Sequence, residues 1–71
     1  MTKTTLSPRE VEILQMAAHG CTTKDIATRL ESSENTIKHH FATIYRKGGI
    51  KHMSNPKVVA VVLGIREGII K

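Results

Sequence analysis

Thr22-Thr23-Lys24-Asp25-Ile26-Ala27-Thr28-Arg29-Leu30, then Glu31-Ser32-Ser33-Glu34, then Asn35-Thr36-Ile37-Lys38-His39-His40-Phe41 is the stretch that decides the fold. Thr22 and Asp25 have the spacing of a capping box, in which each side chain accepts from the other residue's backbone N–H. Ile26, Ala27 and Leu30 follow as the buried stripe of a short helix. A turn at Glu31-Ser32 comes next, with Ser33 as the cap of a second helix. Ile37, Phe41 and Ile44 repeat at helical spacing as its inner face. Asn35, Lys38, His39, Ala42, Thr43 and Arg46 fall on its outer face, and Gly48-Gly49 stops it. A helix apolar inside and basic outside can rest on a protein core while it reads a DNA groove. The helix-turn-helix unit spans about residues 22–41, with the second helix at about 34–47.

Upstream, Leu6-Ser7-Pro8-Arg9-Glu10-Val11 reads as a helix start. Ser7 caps, Pro8 takes the first helical position where its missing N–H costs nothing, and Glu10 completes a capping box. Leu6 and Val11 have the spacing of a hydrophobic staple across that cap. Val11, Leu14 and Ala18 share one face, widened by Ile13 and Ala17, and Gly20 is placed to end the helix in a left-handed conformation. Residues 1–5 are polar and read as a frayed end.

Downstream, Val58 to Leu63 is an unbroken apolar run rich in β-branched residues, a composition that locally also suits a strand. Asn55-Pro56 ahead of it is a cap-plus-first-position pair, and Ile65, Ile69 and Ile70 carry the apolar pattern beyond one strand length. The expectation is a helix over about residues 56–67. Apolar on nearly all sides, such a helix must bury more than one face. Val58, Val59, Val61, Val62 and Ile65 are therefore the expected dimerisation surface.

Seventy-one residues make one domain, 1–71, close to the lower size for a self-sufficient core, where oligomerisation often helps. A single cysteine, Cys21, rules out an intramolecular disulfide framework and fits a reducing compartment. No apolar run reaches the roughly 18 residues of a membrane span, and no apolar block follows Lys3 as in a signal peptide. A cytoplasmic protein is expected. The net charge of +5 is uneven: residues 1–34 carry a balance of −1, and residues 35–71 carry +6. No acid stands between Asn35 and Arg66. A polyanionic partner accounts for this most simply; a solvated basic surface is the plain alternative.

Ser7-Pro8-Arg9-Glu10-x-Glu12, Thr22-Thr23-Lys24-Asp25-Ile26-Ala27, Ser33-x-x-Thr36-Ile37-Lys38-x-His40 and Lys47-x-Gly49-Ile50 together resemble the LuxR-type (GerE-type) helix-turn-helix domain. The resemblance covers about residues 6–70, with four motifs in order. It implies an all-α fold of four helices, the second and third forming the DNA-binding unit and the fourth often serving in dimerisation. By position it implies that Lys38, His39 and Ala42 face base edges, and that Thr23, Lys24, Thr36, Arg46 and Lys47 meet phosphates. It also places the N-terminal amides near Thr22 and Thr23 close to a phosphate. The sequence departs from the family pattern at several points. Glu31 stands where glycine is usual in the turn, and Ser32 where a buried apolar residue is usual. Gly48 replaces a leucine, and His52-Met53 takes the place of an Asn-Arg pair.

Other chemistries have little footing. His19 and Cys21, the adjacent His39-His40 and the isolated His52 give no metal-ligand spacing. No cationic group is clearly placed to activate the Cys21 thiol. No nucleophile motif or phosphate loop is present, so no catalytic residue, metal or cofactor is expected. His40, beside the outer face, suits either packing against the second helix or a phosphate contact. The expectation is a sequence-specific regulator of transcription that binds double-stranded DNA as a homodimer, with RNA polymerase as an additional partner to consider. Two alternatives stand beside it: a protein-interaction module of the same fold, or the DNA-binding fragment of a longer two-domain regulator.

Overall fold

The computed structural model describes residues 6–71, so the frayed end expected at residues 1–5 lies outside the described residues. Four helices follow one another: α1 (Pro8–Ala18), α2 (Thr23–Arg29), α3 (Glu34–Gly48) and α4 (Pro56–Arg66). No strand occurs among the described residues, and the Val58–Leu63 run is helical. The β-branched residues there pack on a helix because Pro56 opens it and the core of the other three helices lies alongside. α1 touches all three other helices and α3 also meets α2 and α4, while α2 and α4 do not meet.

The helix starts follow the sequence expectations, with one exception. Ser7 and Glu10 form a reciprocal capping box on α1, and Thr22 and Asp25 form one on α2. The Ser33 hydroxyl accepts from Thr36 N–H at 3.1 Å. Asn55 does not act as a side-chain cap. The three working caps sit at ψ 157–167°, in the extended region, whereas Asn55 sits at ψ 69°, outside the backbone conformation those caps share. Only its carbonyl joins the helix, accepting from Val59 N–H at 3.3 Å.

All four helices end with the same device. After each, one residue turns left-handed, and two backbone N–H groups reach back to close the last turn. The pairs are Gly20 N to Ala17 O with Cys21 N to Met16 O, and Glu31 N to Thr28 O with Ser32 N to Ala27 O. Gly49 N to Arg46 O with Ile50 N to Tyr45 O, and Gly68 N to Ile65 O with Ile69 N to Gly64 O, complete the set. Glycine fills the left-handed position in three; in the helix-turn-helix turn it is Glu31, at φ 55°. The apolar residue that normally follows is half-buried Cys21, buried Ile50 or half-buried Ile69, but exposed Ser32 after α2.

The core comprises Leu6, Ile13, Leu14, Ile26, Ala27, Ile37, Phe41, Ile44, Ile50, Ala60 and Ile70. On α1 the buried arc centres on Ile13 and Leu14, with Val11 and Ala18 only half-buried at its edges. The expected Val11-Leu14-Ala18 stripe is therefore rotated, because α1 is packed from three sides. Ile69 and Ile70 do not extend α4. The chain folds back after Gly68, and Ile70 packs over Gly64, where an added Cβ would lie 3.0 Å from the isoleucine and 3.1 Å from Leu14. Gln15 holds this return with two hydrogen bonds, donating to Lys71 O and accepting from Lys71 N–H.

Candidate nucleic-acid interface

The fifteen residues of α3 make a rod about 22 Å long. Ile37, Phe41 and Ile44 are buried along one side, which fixes what the other side presents. With residues about 100° apart, Asn35, His39, Ala42 and Arg46 lie within about 50° of the direction opposite that row. All four are exposed. Lys38 stands on one shoulder of this ridge, exposed; Thr36, Thr43 and Lys47 stand on the other, with Thr43 half-buried. The side chains of Asn35, Lys38, His39 and Arg46 make no hydrogen bond or ion pair among the described residues. They are available to a ligand at no cost in internal contacts.

The shoulder residues are more occupied. Thr36 Oγ1 lies 2.9 Å from the Ser33 hydroxyl, and Thr43 Oγ1 donates to His39 O at 3.2 Å. Lys47 Nζ donates to Glu10 Oε1 at 2.8 Å. Glu10 is a buried charged residue of α1, on the arc between Ile13 and Leu14. Burial alone would push its carboxyl up; the hydrogen bonds from Lys47 and Ser7 and the Lys47 charge outweigh this and hold it below its ordinary value. Sequence reading gave Glu10 only its capping role. The ion pair joins residues 37 apart, and no local pattern signals it.

Around the unit, α2 presents exposed Lys24 and half-buried Thr23. The first turn of this seven-residue helix already carries its own anion. Asp25 accepts from Thr22 N–H at 3.0 Å, and that bond with the Thr22 hydroxyl and nearby cations holds its carboxyl below the usual range. Of the amides expected near a phosphate, that of Thr22 is thus already engaged by a carboxylate. Behind α3, the Lys57 ammonium lies 5.4 Å from the Phe41 ring centre, and Phe41 stacks on Tyr45 at 5.8 Å. Burial pushes the Tyr45 hydroxyl up. Half-buried His40 sits beside this packing on the flank of α3.

The α4 surface divides in two. Ala60 and Gly64 are buried, and Val59, Val61 and Leu63 are half-buried against the core. Val58, Val62 and Ile65 are 54%, 47% and 50% exposed, an apolar stripe at the i, i+4, i+7 spacing of one helix face. Of the five expected dimerisation residues, three are open and Val59 and Val61 are shoulders. An apolar groove of about 190 Å³ lies beside the stripe, lined by Ala17, Lys57, Val58, Val61 and Val62.

The sequence that builds this helix-turn-helix unit matches known proteins. The profile of the bacterial regulatory proteins of the luxR family (GerE) fits residues 4–65. The chain belongs to this family. It is the DNA-binding domain of a LuxR/GerE-type transcriptional regulator, a class of DNA-binding regulators and not of enzymes. The spore germination protein GerE of Bacillus subtilis strain 168 is 34% identical over 62 residues, 87% of this chain and 84% of GerE. The uncharacterized transcriptional regulatory protein YxjL of the same organism is 40% identical over 63 residues, 89% of this chain and 27% of YxjL. The transcriptional regulatory protein DegU of Brevibacillus brevis is 35% identical over 66 residues, 93% of this chain and 26% of DegU. The chain thus spans about a quarter of the length of YxjL and DegU, and most of GerE. No solved structure matches it. No helix among the described residues is long and apolar enough to cross a membrane.

Proposed function

We propose that this chain reads a specific sequence of duplex DNA as a homodimer, each copy laying α3 in a major groove, and so regulates transcription in the cytoplasm. The observation that carries the reading is the ridge of Asn35, His39, Ala42 and Arg46 set opposite the buried Ile37, Phe41 and Ile44, with Lys38 beside it. Each residue type suits a groove contact. Asparagine pairs with adenine N6 and N7, lysine and histidine suit the guanine acceptors, and the alanine methyl suits a thymine methyl. Arg46 at the end of the ridge, with Lys24, Thr23, Thr36 and Thr43 at its sides, suits phosphates, which fix register without reading sequence.

The homodimer rests on the Val58, Val62 and Ile65 stripe, since apolar side chains lined up on one helix face are stabilised by a second copy of the same face. Two copies related by a two-fold axis read half-sites centred about 10 base pairs apart. RNA polymerase is a further partner for a regulator bound beside a promoter.

Duplex binding measured across a range of salt concentrations tests this reading. The logarithm of the binding constant should fall steeply and linearly with the logarithm of salt. Weak binding that is indifferent to salt would overturn it, and would favour a protein-interaction module with incidental basic charge.

A further inference from the structure

Lys38, Arg46 and Lys47 all border the outer face of α3, yet they differ in what they touch. Lys38 and Arg46 have no ion-pair partner among the described residues. The Lys47 ammonium sits 2.8 Å from Glu10 Oε1, and the Glu10 side chain is 7% exposed against 34% for Lys47. The same carboxylate oxygen accepts Ser7 N–H at 2.8 Å. It is therefore anchored to the N-terminus of α1 and cannot follow the lysine outward without breaking the cap. If Lys47 swung to a phosphate, a buried carboxylate would remain without its counter-charge, a far costlier state than an exposed lysine missing one contact.

We propose that Glu10 is a positioning residue for the recognition helix, clamping the end of α3 to α1 through Lys47 and withholding that ammonium from the DNA backbone. The phosphate contacts of α3 then end at Arg46, and Lys47 is a strut. This rests on α3 being the DNA-reading helix, and it reassigns one residue that the family resemblance places at a phosphate. The clamp sits beside the turn that ends α3. Lys47 is held at the turn where Gly49 goes left-handed and buried Ile50 re-enters the core.

The salt dependence of duplex binding distinguishes a strut from a phosphate ligand, because each neutralised phosphate adds about 0.9 to the slope of log K against log salt. The parent, Arg46→Met, Lys47→Met and Glu10→Gln are compared, with far-ultraviolet circular dichroism confirming that each is folded. Arg46→Met calibrates the method and should flatten the slope by about 0.9. Lys47→Met should leave the slope of the parent unchanged. Glu10→Gln keeps an acceptor for Ser7 N–H but removes the charge, so the released ammonium should steepen the slope by up to about 0.9. If Lys47→Met flattens the slope as much as Arg46→Met, Lys47 is a phosphate ligand and the proposal fails. Should Lys47→Met not fold, Glu10→Gln alone decides, and a slope equal to the parent's overturns the proposal. A parent with no salt-dependent binding would instead refute the DNA-reading role of α3 itself.

Discussion

Replacing Glu31 with glycine tests whether the helix-turn-helix turn is held under backbone strain. Glu31 is the one non-glycine residue with positive φ among the described residues, at 55°, and it occupies the position that Gly20, Gly49 and Gly68 fill at the other three helix ends. A side chain in the left-handed region costs about 1–2 kcal/mol, because Cβ crowds the following carbonyl oxygen. Glycine removes that cost but returns about 0.5–1 kcal/mol through the larger entropy of the unfolded chain. The net expectation for Glu31→Gly is a gain of about 0.5–1 kcal/mol. For a domain of this size that corresponds to a rise in melting temperature of about 2–8 °C. Thermal unfolding followed by circular dichroism reads it directly. Two companions isolate the cause. Glu31→Gln removes the charge but keeps the strain, and should leave stability nearly as it was. Gly20→Ala imposes the same strain at φ 89°, where an added Cβ meets nothing within 4 Å, and should cost about 1 kcal/mol. The reasoning is refuted if Glu31→Gly melts no higher than the parent, or if Glu31→Gln gives the same rise as glycine.

Lys38→Ala should leave the helical content unchanged and weaken binding to a specific duplex by about 1–3 kcal/mol, measured by titration against a mismatched control. Gly48 lies inside α3 and outside the left-handed region, so Gly48→Ala should raise the melting midpoint by the equivalent of about 0.5–1 kcal/mol; a fall would show that glycine is needed there. Because the Glu10 carboxyl titrates below its ordinary value of 4.5 in the folded chain, its stabilisation is fully present above that pH and disappears as pH falls through the lower folded value. Acid titration of stability should show this limb in the parent and a weaker one in Glu10→Gln. Val62→Lys, on the exposed stripe, should leave the fold intact and reduce cooperative binding to a two-half-site duplex about tenfold, or about 1.4 kcal/mol. Equal sedimentation and equal cooperativity in mutant and parent would remove α4 from the dimer interface.

The sequence is readable where the deciding interactions are local. Ser7, Thr22 and Ser33 cap as their spacing predicts, because a cap involves residues three apart. Ile37, Phe41 and Ile44 are buried as their period predicts, and the exposure of Lys38, His39, Ala42 and Arg46 follows from it. Readings that needed contacts between distant residues fared less well. Glu10 shows as a cap in the sequence, but its ion pair depends on how α1 crosses the end of α3. The rotation of the α1 stripe toward Ile13 and Leu14 depends on three neighbours at once. Ile69 and Ile70 continue an apolar run on paper, yet Gly68 at φ 73° turns them back onto Gly64 and Leu14. Asn55 fails as a side-chain cap because its backbone, at ψ 69°, departs from the extended conformation in which Ser7, also followed by proline, caps α1.

These two kinds of interaction are divided along α3 in a way that bears on how the domain could change its target. Both ends of the helix are fixed by residues outside the reading ridge. Ser33 closes the first turn, while the Gly49 turn, Ile50 and the Glu10–Lys47 pair close the last. Between them the Asn35, His39, Ala42 and Arg46 side chains make no hydrogen bond or ion pair among the described residues. Surface substitutions without such partners usually change stability by less than about 0.5 kcal/mol. A changed base contact, by contrast, alters discrimination by about 1–3 kcal/mol. On the proposed DNA-reading role of α3, the ridge can therefore be rewritten for a new DNA sequence with little effect on folding. The residues that end the helix cannot, since a change at Lys47 leaves a buried carboxylate unpaired and strikes the core before it reaches the groove.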